Sequence, residues 1–269
     1  MTAAGQPDAG RSLLAVFAHP DDEALASGGL LAWCSARGAT VSLLCASRGG
    51  LGQIDDPTRM EMGITRAREL DAAARVLGVH EVILLDHRNG FLPWVPRDVM
   101  DADIRAAIIR LQPDVVITFD EDGLYWHPDH IVMYERTTAV VASMGEAAPA
   151  LFYVSMPRGS MRGVLTAAAA EAHPDAPIPQ RVLGVDEVDA FGLFAARPTL
   201  VIDAGDFAAT KLAALRCHRS QIAGDGLDRL PADQAARLLG VEHYRRANVG
   251  AQGEAFIERL MECDGRVGS

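Results

Sequence analysis

Cysteine, basic clusters and long apolar runs are all scarce in this sequence of 269 residues, and each shortage excludes a class of protein. The four cysteines form no Cys-x-x-Cys pair and lie apart from the motifs described below. This pattern is typical of ordinary thiols in a reducing compartment. The cysteines are Cys34, Cys45, Cys217 and Cys263. No run approaches the roughly 18 apolar residues of a membrane span, and the apolar run 13–18 is too short for the core of a signal peptide. We therefore expect a soluble, cytoplasmic protein without a membrane span.

The charge balance is acidic, with 25 Lys and Arg against 36 Asp and Glu and a net charge of −11. Because basic residues form no block, we expect no nucleic-acid or anionic-membrane partner. The hydrophobic content of 49% allows a sizeable core, and no internal repeat or linker divides the chain. We expect one domain over residues 1–269, in which residues 1–11 form a flexible N-terminus.

The first half of the chain alternates short apolar runs with helical patterns. Buried strands are predicted at 13–18, 40–46, 81–85 and 115–119, and helices at 22–37, 66–77, 101–111 and 131–144. This alternation is typical of a parallel sheet with helices on both faces. The sequence therefore predicts an α/β fold: a single Rossmann-like domain with a mostly parallel sheet and an irregular C-terminal part.

The second half of the chain has a less regular pattern. It predicts strands at 151–156 and 199–203, a helix over 206–221 with Asp206 as its N-cap, and a short helix at 231–239. The segment 167–179 is rich in alanine and proline, which is typical of an exposed excursion or lid.

Two short motifs place histidine and carboxylate groups directly after predicted strands. Residues 19–23 read His-Pro-Asp-Asp-Glu and follow the first strand, and residues 127–130 read His-Pro-Asp-His and follow the fourth strand after a loop. The common doubly wound order places the first and fourth strands side by side, with the second and third to one side. Ligands bind where that order reverses. We therefore expect both motifs at one crevice.

The two motifs contain enough ligands for a divalent metal. Catalytic zinc takes three protein ligands from His, Asp, Glu or Cys and keeps one position for water. His19 and Asp22 lie three residues apart at a strand-to-helix turn, so both can face one point, and His130 can complete the set. The bound water then has a pKa near ~7 and becomes a nucleophile.

The other side chains of the motifs suit proton transfer and charge stabilisation. Asp21 is free to accept a proton from the bound water as a general base. His127 can stabilise a developing oxyanion or protonate a leaving amine, and Asp129 can orient or tune a histidine. The sequence thus predicts a metal-dependent hydrolase.

This combination resembles the zinc-dependent N-deacetylase superfamily of PIG-L and LmbE-like proteins, which includes deacetylases of the mycothiol and bacillithiol pathways. The resemblance runs from about Leu13 to Met133 and rests on the run 18–23, Ala-His-Pro-Asp-Asp-Glu, and the later run 127–130. It implies a single LmbE-like deacetylase domain that binds Zn²⁺, with Fe²⁺ also open. The site residues that it implies are the metal ligands His19, Asp22 and His130, the base Asp21, the electrophilic partner His127, and Asp129 as the tuner of His127.

Further residues acquire a role from the resemblance alone. It implies that Tyr125 helps to polarise the substrate carbonyl and that Arg66 contacts substrate, and it extends weakly to the segment 211–221, whose role it leaves open. Two positions depart from the family pattern: Gly50 replaces a glutamate, and Asn89 replaces an aspartate that holds sugar hydroxyls. An amide still forms hydrogen bonds but lacks the charge, so Asn89 remains a substrate-binding candidate and the sugar stays open.

The predicted reaction is removal of an acyl group, with acetyl the first choice, from a small N-acylated amino sugar or glycoside. The alternative is an amidase that acts with the same chemistry on a thiol-cofactor conjugate or an antibiotic intermediate. Two histidines and a carboxylate also form the facial triad of iron(II) oxygenases. A non-catalytic nucleotide-binding module is the most distant alternative, since the glycine runs 27–29 and 49–52 lack Gly-x-Gly-x-x-Gly after the first strand. The oligomeric state stays open.

Overall fold

The computed structural model describes residues 6–50, 57–170 and 178–261. Within these ranges seven strands form one sheet in the order β3-β2-β1-β4-β5-β7-β6. The strands are β1 (Ser12–Phe17), β2 (Thr40–Ser47), β3 (Glu81–His87), β4 (Val115–Phe119), β5 (Ala150–Ser155), β6 (Leu200–Asp203) and β7 (Val241–Gly250). The helices are α1 (Asp22–Ala36), α2 (Pro57–Leu77), α3 (Arg97–Leu111), α4 (Gly123–Trp126), α5 (Pro128–Ala142), α6 (Ser160–Ala170), α7 (Ala208–Leu215), α8 (Arg219–Ile222) and α9 (Ala235–Leu239).

Strands β1 to β5 run parallel, and their apolar sequences place the centre of the sheet in the core. In β1, Leu13 pairs with Val41 of β2 on one side and with Val115 of β4 on the other. Every residue of β4 and β5 is buried, as expected for strands covered on both faces. The predicted α/β fold and the adjacency of the first and fourth strands are therefore confirmed, and the ends of β1 and β4 lie next to each other.

Strand β7 is the strand that the sequence analysis missed, and helices α4 and α6 were not predicted either. It runs antiparallel between β5 and β6 and therefore occupies an interior position in the sheet. Its first buried residue is Glu242 rather than an apolar residue, followed by the buried Tyr244. Because a charged residue points inward, the segment does not show the apolar alternation by which strands are recognised.

The Glu242 carboxylate organises helix α1. Ser27 interrupts this helix with a φ of −145°, so the amides that follow it need acceptors. Glu242 accepts the N–H groups of Gly29 at 2.8 Å and Leu30 at 2.9 Å, and it pairs with Lys211 Nζ at 2.6 Å. Gly29 suits this close approach, because a Cβ there would lie 3.0 Å from Glu242 Oε1. The glycine run 27–29 therefore binds the chain's own carboxylate, which argues against the nucleotide-binding alternative.

Several predicted boundaries differ from the structure. The helix predicted over 206–221 is two helices, α7 and α8, because the chain turns between Leu215 and Arg219. Helices α2 and α3 begin earlier than predicted. The excursion predicted at 167–179 starts inside α6, and residues 171–177 lie outside the described residues. In the predicted flexible N-terminus, Asp8 is buried and pairs with Arg37. No helix in the described ranges combines the length and apolar character needed to cross a bilayer.

Candidate active site

The two sequence motifs meet where β1 and β4 end. The first motif leads from β1 into α1, and the second begins α5 after β4. Both contribute to a cleft of about 330 Å³, with Asp22 and His130 buried beside it. The cleft is lined by His19, Asp21, Arg66, Asn89, Gly90, Tyr125, His127, Leu183, Gly184, Val185 and Gln221.

Three side chains from the motifs direct donor atoms toward one point. His130 Nε2 lies 3.2 Å from His19 Nδ1 and 3.2 Å from Asp22 Oδ1. His19 Nδ1 lies 3.5 Å from Asp22 Oδ2. Ligands about 2.0 to 2.1 Å from a tetrahedral zinc ion lie about 3.3 Å from one another. The observed separations therefore fit one small divalent cation.

Hydrogen bonds behind the two imidazoles turn their lone pairs toward this point. His19 Nε2 donates to Asp129 Oδ2 at 2.9 Å, and His130 Nδ1 donates to the Gly123 carbonyl at 3.1 Å. A neutral imidazole that donates from one nitrogen carries a lone pair on the other. Two lone pairs and the Asp22 carboxylate then face one another in a buried site, an arrangement that a cation between them would stabilise.

The pKa shifts of two of these donors also indicate that the site favours a positive charge. Burial lowers the pKa of His19, but hydrogen bonds and charges from Asp129 and Asp22 outweigh burial and raise this pKa to about 9. Burial raises the pKa of Asp22, but His130 and His19 outweigh it and hold this pKa well below its usual range. Because protons and metal ions compete for such ligands, the donor set suits a divalent metal.

His127 lies beside the donors, but its backbone contact suits a different role. One ring nitrogen from each of His19, His127 and His130 lies within 4.8 Å of the others, so a three-histidine site is also open geometrically. His127 Nδ1 accepts the Asp129 N–H at 3.1 Å, which leaves the proton on Nε2. Burial, with the nearby His130 and His19, lowers the pKa of His127 to about 4. His127 is therefore a neutral imidazole with one N–H to donate.

Asp21 occupies the N-cap of α1 in a left-handed backbone conformation, with a φ of +113°. Its Oδ2 accepts from Arg66 Nη2 at 3.1 Å, and the same guanidinium donates to the carbonyls of Pro20 and Gly49. Burial raises the pKa of Asp21 and Arg66 lowers it in part, which leaves it at about 6. A carboxylate with this pKa can accept and return a proton near neutral pH.

The Asp129 carboxylate contacts His19, whereas only its backbone N–H reaches His127. Oδ2 also accepts the Gly90 N–H at 2.7 Å, and Oδ1 accepts the Leu92 N–H at 3.1 Å. Burial raises the pKa of Asp129, but the hydrogen bond and charge of His19 outweigh burial and lower it. Asp129, which belongs to the second motif, therefore orients His19 of the first motif.

An unusual backbone segment aims Tyr125 into the cleft. Leu124 and Trp126 have φ values of +64° and +66°, which non-glycine residues rarely adopt. Between them, the Tyr125 ring packs edge-on to His130, with 5.2 Å between ring centroids, and packs on Phe191 at 4.7 Å. Burial raises the pKa of its hydroxyl well above the usual range, so the hydroxyl remains a donor.

Arg66 and Asn89 line the cleft and also fix the loop after β2. Arg66 Nη1 and Asn89 Nδ2 donate to the Gly49 carbonyl at 2.8 and 3.1 Å. Gly49 has a φ of +76°, and a Cβ there would lie 2.4 Å from Arg66 Cζ, so glycine is required. Because Asn89 donates to Gly49 through its amide nitrogen, its amide oxygen is the atom that can serve as an acceptor at the cleft.

Glu23 and His218 contact the site, although the sequence analysis gave them no role. Glu23 Oε2 accepts the Asp21 N–H at 3.0 Å, and Glu23 Oε1 accepts from His218 Nε2 at 2.7 Å. Both side chains are fully buried. His218 belongs to the segment 211–221 that the resemblance singled out, and Gln221 from the same segment lines the cleft. That resemblance was the available signal, but it did not identify the partner of His218.

Comparison with known proteins agrees with this geometry. The model of the family described as PIG-L, GlcNAc-PI de-N-acetylase, matches residues 14–141. A 1D-myo-inositol 2-acetamido-2-deoxy-alpha-D-glucopyranoside deacetylase from Acidothermus cellulolyticus is 34% identical, over 87% of this chain and 88% of the relative. A protein of that name, numbered 2, from Catenulispora acidiphila is 31% identical, over 87% of each.

Solved structures share the fold at lower identity. N,N'-diacetylchitobiose deacetylase from Pyrococcus horikoshii aligns with a TM-score of 0.62 at 21% identity, over 88% of this chain and 84% of that one. A 4-carboxy-2-hydroxymuconate hydratase from Pseudomonas putida aligns with a TM-score of 0.61 at 19% identity, over 91% and 99%. Because these two enzymes bear the names of different reactions, the shared fold alone does not assign a reaction.

Fold and site together define an α/β protein of the LmbE-like fold with a candidate metal site at its sheet switch point. The identity to the curated relatives goes further: the chain belongs to the PIG-L family of N-deacetylases. The resemblance predicted from the two motifs is therefore confirmed, and with it the prediction of a hydrolytic N-deacetylase.

Proposed function

We propose that this protein is a zinc-dependent deacetylase that removes the acetyl group from the 2-acetamido group of an N-acetylglucosamine glycoside. The observation that carries the proposal is the convergence of three buried metal donors beside Asp21, at the floor of an open cleft. The names of the curated relatives support this substrate class, since they describe deacetylases of such a glycoside.

His19, Asp22 and His130 are the proposed metal ligands. Their mixed nitrogen and oxygen donors suit zinc, and also iron(II), which is tested below. When bound, the metal would lower the pKa of a water molecule and polarise the amide carbonyl. Asp129 and the Gly123 carbonyl hold the two imidazoles in the tautomers that ligation needs.

Asp21 is the proposed general base. Its carboxylate accepts a proton from the attacking water, and its pKa of about 6 makes it able to return that proton to the leaving amine. Arg66 fixes the carboxylate through one guanidinium nitrogen at 3.1 Å. Arg66 is thus a proposed partner of the base as well as of the substrate.

His127 and Tyr125 are the proposed donors to the carbonyl oxygen of the amide. His127 presents the N–H of a neutral imidazole, and Tyr125 presents a hydroxyl that stays protonated. Hydrogen bonds that strengthen as negative charge develops on that oxygen stabilise the transition state. The Asn89 amide oxygen is a proposed acceptor for a sugar hydroxyl.

The ligand set is tested by comparing the metal content of His130→Ala, Asp22→Ala and His127→Ala. We expect the first two to bind less than one tenth of an equivalent of zinc, whereas His127→Ala keeps a full equivalent, as measured by plasma emission spectrometry. Loss of zinc from His127→Ala with retention in Asp22→Ala would instead identify the three-histidine set. The same measurement on wild type purified without added metal decides between zinc and iron.

The reaction is tested by measuring acetate and free amine from a panel of N-acetylglucosamine glycosides and N-acyl thiol-cofactor conjugates. We expect stoichiometric release of both products from an N-acetylglucosamine glycoside without oxygen consumption. Release from the conjugates alone would favour the amidase alternative. Oxygen uptake with iron, and no hydrolysis under anaerobic conditions, would contradict the proposal.

A further inference from the structure

The proposed base Asp21 sits in a backbone conformation that is costly for a residue with a side chain. Its φ of +113° lies in the left-handed range, which is strained for a residue other than glycine. Such a conformation persists only where surrounding contacts fix it. Asp21 therefore needs partners that hold its backbone as well as its carboxylate.

The usual stabilisation of a helix N-cap is absent at Asp21. An N-cap aspartate normally accepts an N–H of the first helical turn through its own carboxylate. The Asp21 side chain makes no such bond and pairs with Arg66 instead. The carboxylate is thus available for chemistry, but it no longer holds the start of helix α1.

Glu23 compensates for this loss from within the helix. Its Oε2 accepts the backbone N–H of Asp21 at 3.0 Å. This contact is similar to the reverse half of a capping box, in which an acidic N3 side chain reaches back to the N–H of the cap residue, but here it comes from N2. The Asp21 carbonyl accepts the Leu25 N–H at 3.1 Å. The backbone of Asp21 is therefore fixed on both sides while its carboxylate faces the cleft.

His218 offsets the free-energy cost of burying the Glu23 carboxylate. A fully buried carboxylate is costly unless it is paired, and His218 Nε2 donates to Glu23 Oε1 at 2.7 Å. The other ring nitrogen of His218 is buried and has no hydrogen-bond partner within the described residues. The hydrogen bonding of the His218 ring is thus directed to Glu23 alone.

We propose that Glu23 and His218 are positioning residues for catalysis, which act through the backbone of Asp21 and hold its carboxylate in the productive orientation. This inference deepens the proposed function and rests on Asp21 being its general base. Displacement of a catalytic group by about 1 Å costs on the order of 10²-fold in rate. Disruption of the pair should therefore lower turnover far more than it lowers substrate affinity.

The test compares Glu23→Ala, Glu23→Gln and Lys211→Met in the zinc-loaded protein. We expect Glu23→Ala to lose about 10²-fold in kcat with KM changed less than about threefold and zinc content unchanged. Glu23→Gln keeps an oxygen that can accept the Asp21 N–H, and we expect it to recover most of that loss. Equal activity of Glu23→Ala and wild type, or equal loss in both Glu23 variants, would overturn the proposal.

Lys211→Met is the matched structural control. Lys211 lies in the same segment 211–221 and also forms a buried ion pair, but its partner is Glu242 of β7, which accepts N–H groups of helix α1, rather than Glu23. We expect this variant to lower the urea midpoint and to leave kcat unchanged. A loss of kcat comparable to that of Glu23→Ala would mean that disruption of any buried ion pair of the segment 211–221 lowers activity. The proposed positioning role would then be wrong.

A double variant tests whether His218 acts through Glu23. We expect Glu23→Ala combined with His218→Ala to lose no more kcat than Glu23→Ala alone, because groups acting in one chain are not additive. Losses that multiply would show an independent role for His218 and overturn this part of the proposal.

Amide hydrogen exchange gives a readout that does not depend on the substrate. We expect exchange at the Asp21 N–H to quicken in Glu23→Ala but not in Lys211→Met. Failure of wild type to deacetylate any glycoside would reject the proposed function, whereas unchanged exchange in Glu23→Ala would reject the positioning of Asp21.

Discussion

At the scale of single residues, neighbours in the first motif make different contacts because their side chains leave the backbone in different directions. Asp22 faces His130 and His19, whereas Asp21, at a positive φ, faces Arg66 and the cleft. The sequence identified both carboxylates. Their proposed division into a metal ligand and a base rests on the residue order, on the resemblance and on these different contacts.

Substitution of Asp21 separates its proposed role from metal binding. We expect Asp21→Asn to keep a full equivalent of zinc and to lose 10²- to 10⁴-fold in kcat, the range typical of general-base removal. Metal analysis and initial rates on the same preparation check this expectation. Near-normal turnover in this variant would contradict the assignment of the base.

Substitution of His127 tests its role as a neutral donor. We expect His127→Ala to lose about 10² to 10³-fold in kcat, as when one hydrogen-bond donor to a developing oxyanion is removed. Because the donor acts mainly in the transition state, KM should change little, and steady-state kinetics on the glycoside measure both. A rise in KM at unchanged kcat would show that His127 only binds substrate.

At the scale of elements, the buried Glu242 carboxylate joins the interior strand β7 to helix α1. Glu242 caps the amides that follow the break at Ser27 and pairs with Lys211, and it also accepts the Tyr244 hydroxyl at 2.8 Å. A charged residue that looks misplaced in an apolar pattern is thus the reason that α1 tolerates its interruption.

Removal of the Glu242 charge should destabilise the whole fold. Because Lys211 would remain buried without a counter-charge, we expect Glu242→Gln to lower the free energy of unfolding by on the order of 3 kcal/mol, measured by urea denaturation. Glu81→Gln is the control, since its pair with Arg110 lies at the surface and should contribute little. A loss for Glu242→Gln no larger than that for Glu81→Gln would contradict this interpretation.

At the scale of the whole molecule, the C-terminal third closes one wall of the cleft. Asp225 is fully buried; its Oδ1 accepts the Leu227 N–H at 2.8 Å, and its Oδ2 accepts the N–H of Gly184, which lines the cleft, at 3.4 Å. Burial raises the pKa of Asp225 to about 6, although these backbone contacts lower it in part. The wall therefore contains a carboxyl group that binds its proton more tightly in the folded state than in the unfolded state.

The contribution of the Asp225 carboxyl group to the free energy of unfolding should fall as pH rises. Because the folded pKa of about 6 exceeds the usual 3.8, the folded state holds the proton more tightly between these values. We expect the free energy of unfolding of Asp225→Asn, relative to wild type, to increase by on the order of 2 kcal/mol from pH 4 to pH 6 and then to level off. Urea denaturation across that range measures the difference.

Asp228→Asn provides the control for this pH dependence, because it removes an exposed carboxylate from the same turn. The comparison subtracts the effect of net charge. A difference between Asp225→Asn and wild type that stays constant, or that falls with rising pH, would show that Asp225 is not protonated preferentially in the folded state.

The fold of the first half could be predicted because its information is local. Apolar runs of five or six residues, helix stops such as Gly38 and Gly78, and the preference for right-handed crossovers are enough to order β1 to β4. The position of β7 could not be predicted in this way. It depends on pairing with strands some 40 and 90 residues away along the chain, around a buried charge that its own sequence cannot explain.

The sequence by itself determined the ligand types, their spacing after two strands and, through the family resemblance, the class of reaction, because short motifs at strand ends keep their chemistry wherever the sheet forms. Only the tertiary structure decided which atoms those residues present. The contact of Asp129 with His19 and the contact of Glu23 with His218 join residues 110 and 195 positions apart, and burial beside His130 and His19 lowers the pKa of His127. Such contacts depend on burial and on the meeting of distant segments, which no local pattern specifies.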